Sequence, residues 1–183
     1  MSLNRFQIFT GILLIAVASL LKVLTFPYSI NPIIAISFFS GVLFKNKKWA
    51  FTMPLLAMFF SDCLMELYKD GYGFYGWGQV GNYLSLLSVT LLGTFIQQAK
   101  PGKLIIGSVT SSLLFFLLSN TNVFLFDNLL FYGTGFTGWF NCLVAGIPFL
   151  ERGVLTDLSF VAVLFTAHHY ISSLVLEKKI AAK

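Results

Sequence analysis

The sequence predicts an all-α integral membrane bundle of six transmembrane helices plus a short outer interfacial or re-entrant helix, with both termini in the cytoplasm. Three observations predict it. Of 183 residues, 57% are hydrophobic and 10% charged, and the mean hydropathy is +0.83. That is more apolar surface than a soluble domain of this size encloses. Apolar stretches near membrane-spanning length recur, and lysines cluster between alternate pairs of them, with only Lys69 and Arg152 in the other connections.

A hydrocarbon core of roughly 30 Å needs about 20 helical residues. The first apolar stretch, 6–24, carries Lys22 near its end, where a long stem snorkels outward. Arg5, the run 8–15 and Ala16-Val17-Ala18 also resemble a secretory signal. The run continues through Leu24, so a retained span is expected. The second stretch, 30–44, opens on Asn31-Pro32, and the third, 49–67, follows a lysine cluster. The fourth covers 80–97, and the fifth, 104–119, ends at Ser119-Asn120-Thr121-Asn122, an ordinary terminator. Residues 137–150 are apolar but too few to cross, and counting them as a seventh span would carry Lys178-Lys179 outside. The sixth span is 154–176, which leaves a long outer connection from Asn120 to Gly153.

Charge orients the bundle. Nine of the twelve basic residues (Arg5, Lys45, Lys47, Lys48, Lys100, Lys103, Lys178, Lys179 and Lys183) fall on one side. The net charge of +5 therefore reports topology in the cytoplasmic membrane, with lipid as solvent and no nucleic-acid partner. No repeat or linker divides the chain, so 1–183 is one domain. Cys63 and Cys142 lie in no metal or redox spacing and are expected as buried free thiols.

Polar residues inside apolar stretches need partners or a cavity. Asp62 lies about 20 Å along its helix from Trp49, with Met58 and Glu66 on the same face. Asn31, Gln79, Asn82, Tyr83, Asn120, Asn122 and Asp157 fall at a similar outer depth, and Trp139 and Asn141 sit on the short outer helix. Such convergence suits an outward-facing binding cavity. Competing readings are helix capping for Asn31, Gln79 and Asn120, an interhelical hydrogen bond for Asp62, and a local pair with Arg152 for Asp157. Tyr68, Tyr72, Tyr75 and Trp77 read as an interfacial aromatic belt. His168 and His169 read as packing or interface residues. No nucleophile elbow, phosphate loop, HExxH or Cys/His cluster occurs, so no catalysis, cofactor or metal is expected. Ser37 with Gly41, and Ala57 with Ser61, form small-residue pairs expected to pack within the bundle.

Asn31-Pro32-Ile33 with Ala35 and Gly41, Ala50-Phe51 with Pro54-Leu55, Ser61-Asp62, Ser119-Asn120, and Ala145-Gly146-Ile147-Pro148-Phe149 followed by Asp157 together resemble an uncharacterised family of small bacterial membrane proteins. The likeness runs from Pro27 to His168. That family is similar to the substrate-binding S components of energy-coupling-factor transporters, six-helix proteins that capture micronutrients outside the cell. The resemblance implies a transmembrane coupling protein and two ATPases as partners. The chain departs from the pattern at Glu66 and Tyr68, where Gly and His are usual, and at Phe124 in place of Trp, so no metal substrate follows.

The expectation is a solute-binding component in which Asp62, Asn82, Asn120, Asn122, Trp139 and Asp157 hold a small molecule. The segments 67–79 and 121–137 would act as lids, the first freed by Gly71, Gly73, Gly76 and Gly78. The alternative is a structural subunit of a larger membrane complex with no ligand of its own.

Overall fold

The structure, a computed structural model, describes residues 13, 16–17, 20–25, 30–74, 76–96, 98–126 and 129–181. These residues contain helices and no strand. The helices are α1 (Ile33–Leu43), α2 (Lys47–Tyr68), α3 (Trp77–Thr94), α4 (Pro101–Phe126), α5 (Leu129–Tyr132) and α6 (Gly135–Ala181). Residues 20–24 are also helical and bring in Lys22; the rest of the first predicted span lies outside the described residues, apart from residues 13, 16 and 17. Among the described residues, α2 and α4 are long and apolar enough to cross a membrane.

The Asn31-Pro32 pair starts α1: Asn31 Oδ1 accepts the Ile33 N–H at 3.0 Å, and Pro32 needs no donor partner. The helix stops where Phe44 turns extended. Its 11 residues rise about 16 Å. The predicted span 30–44 is thus corrected to a helix too short to cross alone. Eight of those residues are buried, because α1 is apolar on every side and α2, α3, α4 and α6 pack around it.

Small residues allow that enclosure. A Cβ on Gly41 would lie 2.2 Å from the Thr90 carbonyl oxygen, and one on Gly93 2.6 Å from that of Phe38. The backbones of α1 and α3 therefore touch, as the Ser37/Gly41 pair predicts. Ala57 and Ser61 are also fully buried. Phe38 and Phe39 meet Phe165 of α6 at ring separations of 6.3 and 5.1 Å, and Phe39 meets His168 edge-on at 6.1 Å.

The end of the bundle expected to face outward departs most from expectation. α4 does not stop at Ser119 but runs to Phe126. Asn120 Nδ2 and Thr121 Oγ1 donate back to the carbonyls of Phe116 and Leu117 at 2.8 and 2.7 Å, so these polar side chains are satisfied inside the helix. The predicted short helix 137–150 is likewise not separate. It is the first part of α6, a continuous 47-residue helix. Pro148 lacks only one donor, and Glu151-Arg152-Gly153 does not break the ladder.

Successive contacts set α6 antiparallel to α4. Trp139 bonds to Thr121, Cys142 to Asn120, and Asp157 to Ser112, while Gly146 abuts Asn120 and Phe116. The described residues of the predicted outer loop are therefore mostly helical, with a turn at Gly133 and Gly135, whose φ values are +87° and +67°.

Candidate functional site

Two polar centres emerge, and they are separate. The first surrounds Asp62, which is fully buried on α2. One carboxylate oxygen pairs with Lys22 Nζ. The other accepts from Gln79 Nε2 at 2.6 Å and from the Tyr83 hydroxyl at 2.8 Å, and Gln79 also donates to the Gly73 carbonyl at 3.1 Å. Lys22 therefore does not snorkel away. An ammonium in an apolar setting is stabilised by a counter-charge close by, and Asp62 supplies it. With both its oxygens engaged by the chain, Asp62 serves as a junction between helices.

One turn further, Glu66 organises the adjoining loop. Its carboxylate accepts backbone N–H groups from Gly71, Gly73 and Phe74 at 3.0, 2.7 and 3.2 Å. A Cβ on Gly73 would fall 2.2 Å from the Asp62 carbonyl oxygen, and Gly71 and Gly76 hold φ near +77° and +79°. Gly73 thus lets the loop lie tightly on α2, while Gly71 and Gly76 supply the positive-φ turns. Glu66→Ala should speed amide exchange at Gly71, Gly73 and Phe74 while leaving α4 unaffected. Hydrogen-exchange mass spectrometry checks this, and unchanged exchange in the loop would contradict the pinning role.

The second centre is a cavity of about 630 Å³ between the start of α1, α2, α4 and α6. Its walls are largely apolar, with Ile33, Ile34, Met58, Phe115, Phe116 and Phe149 prominent. The polar residues lining it include Asn31, Ser112, Ser119, Asn120, Arg152, Thr156 and Asp157. Asp157 is 2% exposed, and Ser112 Oγ donates to its Oδ2 at 2.7 Å. Its partner is thus Ser112 on α4, and Asp157 forms no pair with Arg152. Counting from the true start of α6 also moves Asp157 deeper, opposite Ser112 near the middle of α4.

The six residues proposed as a ligand set do not converge. Asn120 and Asp157 line the cavity; Asp62, Asn82, Asn122 and Trp139 are not among its lining residues. Asn122 is buried against α3, its amide donating to the Gly78 carbonyl, and it borders a smaller hollow of about 210 Å³. Asn82 is half-buried on α3. Trp139 Nε1 donates to Thr121 Oγ1 at 2.9 Å, tying the start of α6 to the end of α4. Cys142 is buried with Sγ against the Asn120 carbonyl, and both cysteines are free. Among the described residues no group of three His, Cys, Asp or Glu side chains is placed to hold a metal.

Sequence reasoning missed Ser112, Arg152 and the three phenylalanines of the cavity. A serine in an apolar helix carries no signal of its own. Lys22 did carry one, since an intramembrane lysine needs a counter-charge, and few acidic residues lie within the apolar stretches.

A model of a family described as a family of unknown function, DUF6580, matches residues 2–179. No curated protein and no solved structure matches the chain.

Proposed function

The chain belongs to the DUF6580 family of unknown function, and we propose that it is the membrane-embedded solute-binding component of a micronutrient uptake transporter, similar to the S components of energy-coupling-factor systems. It crosses the cytoplasmic membrane six times with both termini inside. The alternating placement of lysines supports this topology, as do the apolar helix exteriors, where Leu67, Phe95, Ile106 and Val163 are all more than 60% exposed. Segment 30–46 crosses as a short helix whose buried residues pack against the neighbouring helices, with exposed non-helical residues at its ends. The last crossing lies within α6, which runs antiparallel to α4 and at about 70 Å of rise extends well beyond a hydrocarbon core of roughly 30 Å.

The observation that carries the reading is the cavity holding Asp157. Its volume falls in the range of small-molecule sites, and it combines apolar walls with a few converging polar groups. Asn31 and Asn120, two of the polar residues expected near the outer face, line it as well. The protein captures its solute there without chemistry of its own, and a transmembrane coupling protein with two ATPases then opens the site inward.

One observation favours the alternative of a structural subunit. Asp62, the carboxylate that the sequence marks most clearly, is satisfied wholly within the chain. Native mass spectrometry after mild-detergent purification separates the two readings. A retained small molecule in the wild type, and its loss by about tenfold or more in Asp157→Asn, is the expected result. A wild-type chain that releases no solute and co-purifies with a stable assembly lacking ATPases would overturn the transporter reading.

A further inference from the structure

The cavity wall holds an acidic and a basic side chain that do not pair with each other. Asp157 and Arg152 lie on the same helix, five residues or about 7.5 Å of rise apart, and both line the cavity. Ser112 occupies Asp157 Oδ2; for Oδ1 no hydrogen bond occurs among the described residues. Arg152 is exposed and makes no ion pair among them. The same cavity is lined by Phe115 and Phe116 of α4 and Phe149 of α6.

A buried carboxylate facing an apolar chamber lacks the water that would otherwise solvate it. A ligand cation restores that stabilisation, while a ligand anion there adds repulsion. The guanidinium, one and a half turns closer to the outer face, favours the reverse. Aromatic walls suit a flat or bulky apolar body.

We infer that the cavity takes a zwitterionic solute whose basic nitrogen meets Asp157, whose carboxylate or phosphate reaches Arg152, and whose apolar body lies against the phenylalanines of the cavity wall. This rests on the proposed binding function and adds the charge pattern of its ligand. The five-residue spacing of Asp157 and Arg152 along α6 favours a solute whose two charged ends are apart.

Three matched probes test it on the purified full chain after exchange into solute-free detergent. They are 4-(aminomethyl)benzoate, which carries both charges at opposite ends, 4-methylbenzylamine, which keeps only the cation, and 4-methylbenzoate, which keeps only the anion. Binding is read by saturation-transfer NMR with titration. The zwitterion is expected to bind about tenfold or more tightly than the amine, and the amine more tightly than the carboxylate. Asp157→Asn should reduce binding of both amine-bearing probes, whereas Arg152→Gln should reduce the zwitterion to the level of the amine. Thermal melting of each variant without ligand confirms that it remains folded; should Asp157→Asn fail this test, the Arg152→Gln comparison stands alone.

Carboxylate binding equal to or tighter than that of the zwitterion overturns the inference, as does zwitterion binding that Arg152→Gln leaves unchanged. So does failure of the zwitterion to bind at millimolar concentration. Failure of this inference is distinguishable from failure of the binding function. A retained native solute without a basic nitrogen sinks the charge pattern but keeps the binding component, whereas no retained solute and no probe binding sinks both.

Discussion

Lys22→Ala should destabilise the folded protein by roughly 3–5 kcal/mol, the usual consequence of stranding one member of a buried ion pair. Asp62 is fully enclosed, and Gln79 and Tyr83 alone donate neutral hydrogen bonds to a carboxylate that has lost its counter-charge. Asp62→Ala should cost a comparable amount, since it leaves the ammonium without its partner. The double variant Lys22→Met with Asp62→Leu tests the cause. Removing both charges together removes the desolvation penalty, so it should recover much of the loss. Thermal unfolding in detergent, run as a double-mutant cycle, gives the coupling directly. Additive losses in the double variant would show that the pair does not act as a unit. The same experiment bears on function, because solute binding at the Asp157 cavity should persist in any variant that stays folded.

A second large effect is expected at Gly41. The site of its missing Cβ lies 2.2 Å from the Thr90 carbonyl oxygen and 3.0 Å from the Gly93 Cα, both backbone atoms. Neither is the movable tip of a side chain, so α1 and α3 must separate to admit even a methyl group. Gly41→Ala should cost about 1–3 kcal/mol, and Gly41→Val more. Gly102→Ala is the control, since nothing lies within 4 Å of its Cβ position. That variant should be neutral or slightly stabilising by helix propensity. Equal melting temperatures for Gly41→Ala and Gly102→Ala would refute the close approach. Because α1 contributes Ile33 and Ile34 to the cavity wall, its displacement should also weaken solute retention.

How far the site was legible depended on the kind of signal each residue carries. Asp62 and Asp157 were conspicuous because a carboxylate in an apolar stretch costs free energy unless something compensates it, and hydrophobic patterning reveals such exceptions. What compensates it is a contact between helices, and sequence spacing holds no record of that. Asp62 thus proved to be joined to Lys22, Gln79 and Tyr83, while Asp157 faced a cavity. Asn120 and Asn122 illustrate a related ambiguity. Asn after an apolar run commonly ends a helix, yet here Asn120 bonds back to Phe116 and Asn122 reaches across to Gly78, so the helix continues.

The depth of Asp157 shows how one boundary error propagates. Starting the last helix at Val154 placed this carboxylate near the outer surface. With the helix beginning at Gly135 and packed along α4, the same residue lies opposite Ser112 in the middle of the bundle. Its possible partners change accordingly, from headgroup water to an apolar chamber.

By itself the sequence determined the helical class and the small-residue contacts of α1. It also marked out the few buried polar side chains that need compensation. These follow from composition and local periodicity, which act on every residue wherever it ends up. Only the tertiary structure decided that the lysine at position 22 meets Asp62, that α4 and α6 run on through their polar segments, and that Asp157 and Arg152 share a cavity. Those outcomes depend on which helix faces cross one another, and on whether a polar group finds its partner in its own helix, in a neighbour, or in the space between.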